Sequence, residues 1–345
     1  MKKREIELDI LRLFAMLAVI WVHIGGMESN ALPTSDPNCQ WLIFLKSIMT
    51  WEIPVYTMIS GRFFLDPSRD MPFSKIRKAI GRLALAFIVW NVVYYIYGLA
   101  AGTYGDLNWK GALSYGFMGP YHFWYLYMIV GLYLITPFLR KIAADRKLSE
   151  YFIILGFLFM LLTKYAPLLP LIGSSLEIML SRMSMNFVLG YSVYYILGYY
   201  LRAHPLSGKR EMYLYLCGII LLLLGAGANT WQSLRDGAYT EWYTVYTAPN
   251  TMVVAAAIYT FFVNRISRLR LDEKACRLIA KLSEYSFGVY LIHALVLDLF
   301  RSLGASPTFL HPLFAMVLLT IAAFAVTTAV VIVLRKIPVI GRKIT

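Results

Sequence analysis

The sequence predicts an all-α polytopic membrane protein with about ten transmembrane helices and both termini in the cytoplasm. Three observations carry this. Of 345 residues, 59% are apolar and only 15% charged, against roughly 45–50% and 25% in soluble domains. The apolar residues fall into long runs, and the mean hydropathy is +0.62. The 33 Lys and Arg outnumber the 19 Asp and Glu, and they gather in the short gaps between runs, as orientation signals do. This excludes an ordinary soluble enzyme, a disordered chain and a nucleic-acid-binding protein. Cys39, Cys217 and Cys276 make no disulfide framework. No Cys or His pair has ligand spacing, so no metal is expected.

A span needs about 20 mostly apolar residues, and ten stretches qualify. The first is 8–27. Met1-Lys2-Lys3-Arg4 ahead of it could open a signal peptide, but no small-x-small site follows and the run holds Asp9, Arg12 and His23. It reads as a retained helix. The second, 41–65, follows a Pro-bounded loop at 33–37. The third, 80–101, opens in a basic run and ends at a Gly-bounded turn over 102–105. The fourth is 121–139. The fifth, 150–165, is short, and its flank at 167–170 should dip into the interface. The sixth to tenth are 183–201, 212–229, 248–264, 282–302 and 310–334. With the N-terminus inside, 25 of the 33 Lys and Arg fall on inner segments, which fixes the orientation. Trp41, Trp109, Tyr121, Trp124, Trp231 and Trp242 lie near outer helix ends, where an aromatic belt sits. Neither a solenoid repeat nor a separate soluble domain is visible.

Ionisable groups inside spans cost several kcal/mol on most scales, so each needs a partner or a task. Arg12 and His23 are eleven residues apart, three turns plus about 20°, so they share one face about 16 Å apart. Asp9 lies one turn below Arg12 and can pair with it. Arg12 near the interface can simply snorkel, whereas His23 is too deep for that. Glu52 lies mid-span, open to pairing with Lys46, to a neighbouring helix or to a functional role. Pro54 frees a backbone carbonyl beside it and Gly61 permits close helix approach. Arg62 is level with Arg12, and Arg77, Lys78 and Arg82 follow on the same side. A polyphosphate ligand suits such a cluster, because Arg forks hold phosphate oxygens. His122 opens the fourth span, His293 lies within the ninth, and Asp298 lies five residues further out. No nucleophile elbow, phosphate-binding glycine loop or glycosidase-like carboxylate pair occurs.

Five elements together resemble the acyltransferase-3 family of integral membrane acyltransferases. The first is Glu7-Leu8-Asp9-Ile10-Leu11-Arg12 with His23 after ten residues. The second is Tyr56-Thr57-Met58-Ile59-Ser60-Gly61-Arg62-Phe63, which departs from the family by placing Arg62 where an aromatic is usual. The others are the basic run with Arg77, Lys78 and Arg82, the segment His122-Phe123-Trp124-Tyr125-Leu126, and the stretch from Ser283 through Tyr290 to His293. The resemblance spans nearly the whole chain and implies one membrane domain over 1–345 in a bacterial inner membrane. It further implies acetyl-CoA or another acyl-CoA as cytoplasmic donor. The acceptor would be a hydroxyl or amine of an envelope glycan, a lipid-linked sugar or a small molecule, with membrane lipid a further partner.

By that resemblance His23 is the catalytic base. The residues themselves add Glu52 or Asp298 as the carboxylate that orients it, and His293 or His122 as the rival base. Arg12, Ser60, Arg62, Arg77, Lys78 and Arg82 would take the CoA end. His122, Trp124, Tyr290 and Asp298 would face the acceptor. Direct transfer and an acyl-His23 relay both fit. A transporter of an anionic or amino-acid-like solute, using the same Arg, Glu and His groups, is the alternative.

Overall fold

The computed structural model describes residues 4–103, 109–185, 189–338 and 341–345. Lys2 and Lys3, residues 104–105 of the expected 102–105 turn and residues 186–188 of the sixth span lie outside them. Among the described residues every regular element is helical. The longer ones are α1 (Ile6–Ser29), α2 (Pro37–Ser47), α3 (Glu52–Phe64), α4 (Phe73–Ala100), α5 (Trp109–Met118), α6 (Trp124–Ala144) and α7 (Arg146–Tyr165). There follow α8 (Gly173–Arg182), α9 (Tyr191–Ala203), α10 (Lys209–Asp236), α11 (Pro249–Asn264), α12 (Glu273–Ser302), α13 (Pro312–Leu334) and a final turn, α14 (Gly341–Ile344).

Local chemistry sets many of the starts. Asp36, Asp145 and Asp272 accept backbone N–H groups at the N-termini of α2, α7 and α12. Pro37, Pro249 and Pro312 occupy the first helical position, where no donor is needed.

Eight segments among the described residues are long and apolar enough to cross a membrane. Of the sixth expected span the described part holds α9, of 13 residues, and the eighth is α11, of 16 residues. The second span also differs from expectation. It breaks into α2 and α3 at 48–51, because Pro54 offers no N–H to the Thr50 carbonyl. The Thr50 hydroxyl turns back onto the carbonyls of Lys46 and Ser47. The break leaves Glu52 in the first turn of a helix that starts inside the bundle. Two ten-residue helices, α5 and α8, carry exposed apolar side chains such as Trp109, Phe117, Ile178 and Met179. They are too short to span, and they suit the interface.

Burial sorts the long helices into two shells. The broken α2–α3 segment, α12 and α1 have 78%, 67% and 56% of their most apolar stretch buried, against 22–33% for α4, α6, α7, α10 and α13. The first group is core and the second is sheath. α9 joins the core, with Val193, Tyr194, Tyr195 and Ile196 fully covered. The close approach expected at Gly61 is present: a Cβ there would lie 1.8 Å from the Tyr195 carbonyl oxygen, and one at Gly198 would lie 2.0 Å from that of Met58. α1 and α12 run side by side in the same direction, Arg12 beside Ser283 and His23 beside His293. One end of the bundle is strongly basic, with Arg62, Arg69 and Arg202 all on Glu5; the opposite end is the far end.

Candidate active site

A narrow cavity of about 160 Å³ lies between α1, α3, α4, α6 and α12. Arg12, Ser60, Tyr133 and Ser286 line it towards the basic end, and Tyr56, Tyr125 and Tyr290 deeper in. Tyr56 donates to the Arg12 carbonyl, 2.9 Å, tying α3 to α1 at this level.

Arg12 is only loosely held. Its Nη1 donates to Ser283 Oγ at 3.1 Å and reaches Asp9 at 3.5 Å. The Asp9 carboxylate is mainly satisfied by Arg4 at 2.6 Å and the Ser283 hydroxyl at 2.7 Å. Among the described residues Arg12 Nε and Nη2 have no partner, so donors remain for an anion at the cavity.

Beyond Tyr290, one turn further along α12, three imidazoles meet. The His23 ring stacks on His293 with centroids 5.1 Å apart. His122 stands edge-on to His293 at 5.0 Å and lies 6.3 Å from His23. Arg12 and His23 thus share the face of α1 turned to α12, as their spacing predicts. His293 and His122 are buried and His23 is partly covered. His293 Nδ1 lies 2.7 Å from the Tyr290 carbonyl. A carbonyl only accepts, so Nδ1 carries the proton and Nε2 holds the lone pair. That Nε2 has no partner among the described residues. The Tyr290 hydroxyl donates to the His122 carbonyl. The Tyr94 hydroxyl, its ring 5.4 Å from His122, donates to the Leu291 carbonyl at 3.0 Å. These bonds lock α4, α6 and α12 around the imidazoles.

At the basic end the expected cluster divides. Arg62 turns away from Arg12 and pairs with Glu5 at 3.0 Å and Asp66 at 2.9 Å. Burial alone would raise the Asp66 carboxyl, but hydrogen bonds from Ser68 and Arg62 outweigh it and hold the group well below the usual carboxylate range. Arg82 stays at the cavity mouth, its guanidinium 5.4 Å from the ring of Phe287, which lines the cavity, and its Nη2 on the Thr345 carbonyl at 3.0 Å. Arg77 and Lys78 are exposed one turn earlier. Arg62 is therefore separated from the other four by its own ion pairs.

The far half holds a second polar group. Glu52 Oε1 accepts from the Tyr246 hydroxyl at 2.6 Å, and its Oε2 is buried with no partner among the described residues. Lys46 pairs with Glu241 and Tyr239 rather than with Glu52. The Trp124 ring stacks on Tyr246 at 5.6 Å and lies 5.8 Å from Tyr191. Asp298 is half-buried on the opposite side, near Tyr94 and Tyr121. Among the described residues neither Glu52 nor Asp298 makes a hydrogen bond to an imidazole. The acceptor that orients one is the Tyr290 backbone carbonyl.

Sequence reasoning missed Tyr94, Tyr121 and Tyr246 as neighbours of the site. The chain has 25 tyrosines, and spacing within one helix cannot single out those that converge from several.

The family description "Acyltransferase domain" matches residues 5–336. No curated protein and no solved structure matches the chain. With nearly its whole length covered, and with several apolar helices long enough to cross a bilayer, the chain belongs to the acyltransferase-3 family of membrane acyltransferases.

Proposed function

We propose that the protein transfers an acyl group, acetyl in the simplest case, from cytoplasmic acyl-CoA to a hydroxyl or amine of an envelope glycan, a lipid-linked sugar or a small acceptor. On this reading it is one domain over 1–345, crossing a bacterial inner membrane ten times with both termini cytoplasmic. The observation that carries the proposal is the cavity that opens at the unused Arg12 donors and ends at Tyr290, one turn of α12 before His293 and the stacked His23 ring. CoA phosphates at Arg12, Arg77, Lys78 and Arg82 leave the pantetheine arm to pass Ser60 and bring the thioester towards His23. Arg62 shapes that end through Glu5 and Asp66.

The chemistry is direct transfer. His23 takes the proton of the acceptor O–H or N–H as its lone pair attacks the thioester carbonyl carbon. The new C–O or C–N bond forms, the C–S bond breaks, and the imidazolium returns its proton to the leaving CoA thiolate. His122, Trp124 and Tyr290 frame the acceptor side. The free oxygen of Glu52, with Asp298 opposite, offers acceptors for its hydroxyls. A specific observation favours a second base: His293 has Nδ1–H fixed and Nε2 free, the arrangement a general base requires.

The test separates binding from chemistry. His23→Ala should leave acetyl-CoA binding near wild type while transfer falls about 10²–10⁴-fold. Arg12→Ala and Arg77→Ala should each weaken acetyl-CoA by about 1.5–3 kcal/mol in calorimetry. Near-normal transfer by His23→Ala beside an inactive His293→Ala moves the base to α12. Unchanged affinity in both Arg variants removes the donor site.

A further inference from the structure

Two neighbouring hollows lie on the side of α1 away from the site. The first is a groove of about 470 Å³ between α10 and α11, walled by Phe14 of α1 and lined by Leu222, Val254, Ile258 and Phe262. Every side chain facing it is apolar or aromatic, and two of its walls, α1 and α10, are long and apolar enough to cross a membrane. Its floor is close-packed, since a Cβ on Gly218 would come within 2.6 Å of the Ala257 side chain. The second hollow, about 590 Å³, sits at the basic end and includes Ile10, Ile266, Arg202, Arg268 and Arg270. Ile10 is one turn from Phe14 on α1, and Ile266 lies four residues after Phe262. The two hollows are therefore neighbours, one turn apart along α1 and one short turn apart where the chain leaves α11.

The charges there are unbalanced. Glu5 and Glu7 also face the charged hollow, but Glu5 is held by Arg62, Arg69 and Arg202, and Glu7 lies 3.8 Å from Arg202. Arg4 is taken by Asp9 and Glu284. Arg268 and Arg270 are exposed, and among the described residues no carboxylate pairs with either. A hydrocarbon slot ending on two free guanidinium groups matches a molecule with an apolar tail and an anionic head. At this depth the available one is a membrane glycerophospholipid. We infer that the α1–α10–α11 face binds one anionic glycerophospholipid, an acyl chain in the groove and the headgroup phosphate on Arg268 and Arg270.

The experiment uses the full chain in maltoside detergent, titrated with phosphatidylglycerol or with phosphatidylcholine of the same chains, read by thermal shift and native mass spectrometry. Phosphatidylglycerol should raise the unfolding temperature saturably and remain as one retained lipid; phosphatidylcholine should do neither. Arg268→Gln with Arg270→Gln should weaken that binding roughly 25-fold, about fivefold per cation. Lys274→Gln with Arg277→Gln, cations on the same end outside the hollow, should leave it unchanged. Ile219→Trp fills the groove and should also weaken it.

Equal loss in both double variants means general attraction of lipids to a basic surface and overturns the site. Competition by CoA overturns it in favour of a nucleotide. A full shift from glycerol phosphate alone, insensitive to Ile219→Trp, overturns the tail groove.

Discussion

Gly61→Ala tests the packing that holds the site together. The added Cβ would lie 1.8 Å from the Tyr195 carbonyl oxygen, 2.6 Å from its carbon and 2.9 Å from its Cα. Cβ contacts under 3.0 Å essentially do not occur, so α3 and α9 must part by at least roughly 1.2 Å. All three obstructing atoms are backbone, so no rotamer change relieves the clash. A gap of 0.5–1 Å already forfeits a quarter to a half of each contact's attraction. The seam contains Val55, Met58 and Ile59 against Tyr194 and Tyr195, all buried. Overpacking usually costs 1–3 kcal/mol, and the rigid partner puts this substitution at the upper end, about 3 kcal/mol. At roughly 2 °C per kcal/mol for a large chain, the unfolding temperature should fall by about 6 °C.

Gly81→Ala is the control. Gly81 lies inside α4 with nothing within 4 Å of a Cβ, so alanine there should stabilise by up to about 1 kcal/mol through helix propensity. Thermal unfolding in detergent, followed by tryptophan fluorescence, compares the two. A Gly61→Ala protein as stable as Gly81→Ala refutes the backbone-to-backbone crossing. Because Ser60 lines the cavity next to Gly61, activity should fall with stability.

Two further outcomes follow. Asp66 has its folded pKa held below the unfolded value near 3.9 by Arg62 and Ser68, so its stabilisation is complete above that value and is lost as pH falls through the lower folded pKa. The unfolding-temperature difference between wild type and Asp66→Asn should hold steady from pH 7 to 5 and shrink below pH 4; a constant difference down to pH 2 contradicts the ion pair. Single-cysteine labelling should find 66–78, 202–211 and 264–281 cytoplasmic and Cys39 on the outer side once made accessible by mild denaturant. Outside labelling of 264–281 would overturn the orientation.

Part of the candidate site's geometry was legible in the sequence, and the reason is helical periodicity. Arg12 and His23 share a face because eleven residues nearly complete three turns, and the structure turns that face to α12. The second polar helix was visible in the run from Ser283 to His293. How neighbouring helices rotate against one another is not written in the spacing of either. Arg62 therefore read as level with Arg12, although its side chain turns to Glu5 and Asp66. Likewise Glu52 read as a candidate for orienting an imidazole, whereas a backbone carbonyl fills that role for His293. The break at 48–51 was half legible: Pro54 marks a lost hydrogen bond, but whether a helix kinks or stops there depends on what else can satisfy the carbonyls. Here the Thr50 hydroxyl does so.

The shortness of α9 and α11 affects depth. At 1.5 Å per residue their 13 and 16 residues rise about 20 and 24 Å, against about 30 Å of hydrocarbon. Both finish at the basic end, where Arg202 reaches Glu5 and Arg265 reaches Glu211. The opposite end of α11, at Pro249, therefore stops about 6 Å short of a full bilayer core. The chain just before it fills that level without a spanning helix: the Tyr243 backbone N–H donates to Asn229 of α10, and Glu241 pairs with Lys46 of α2. Tyr246 stacks on Trp124 and its hydroxyl donates to Glu52. The buried carboxylate is thus held from above by a non-spanning strap, so a change in that strap is felt at Glu52 without any spanning helix moving.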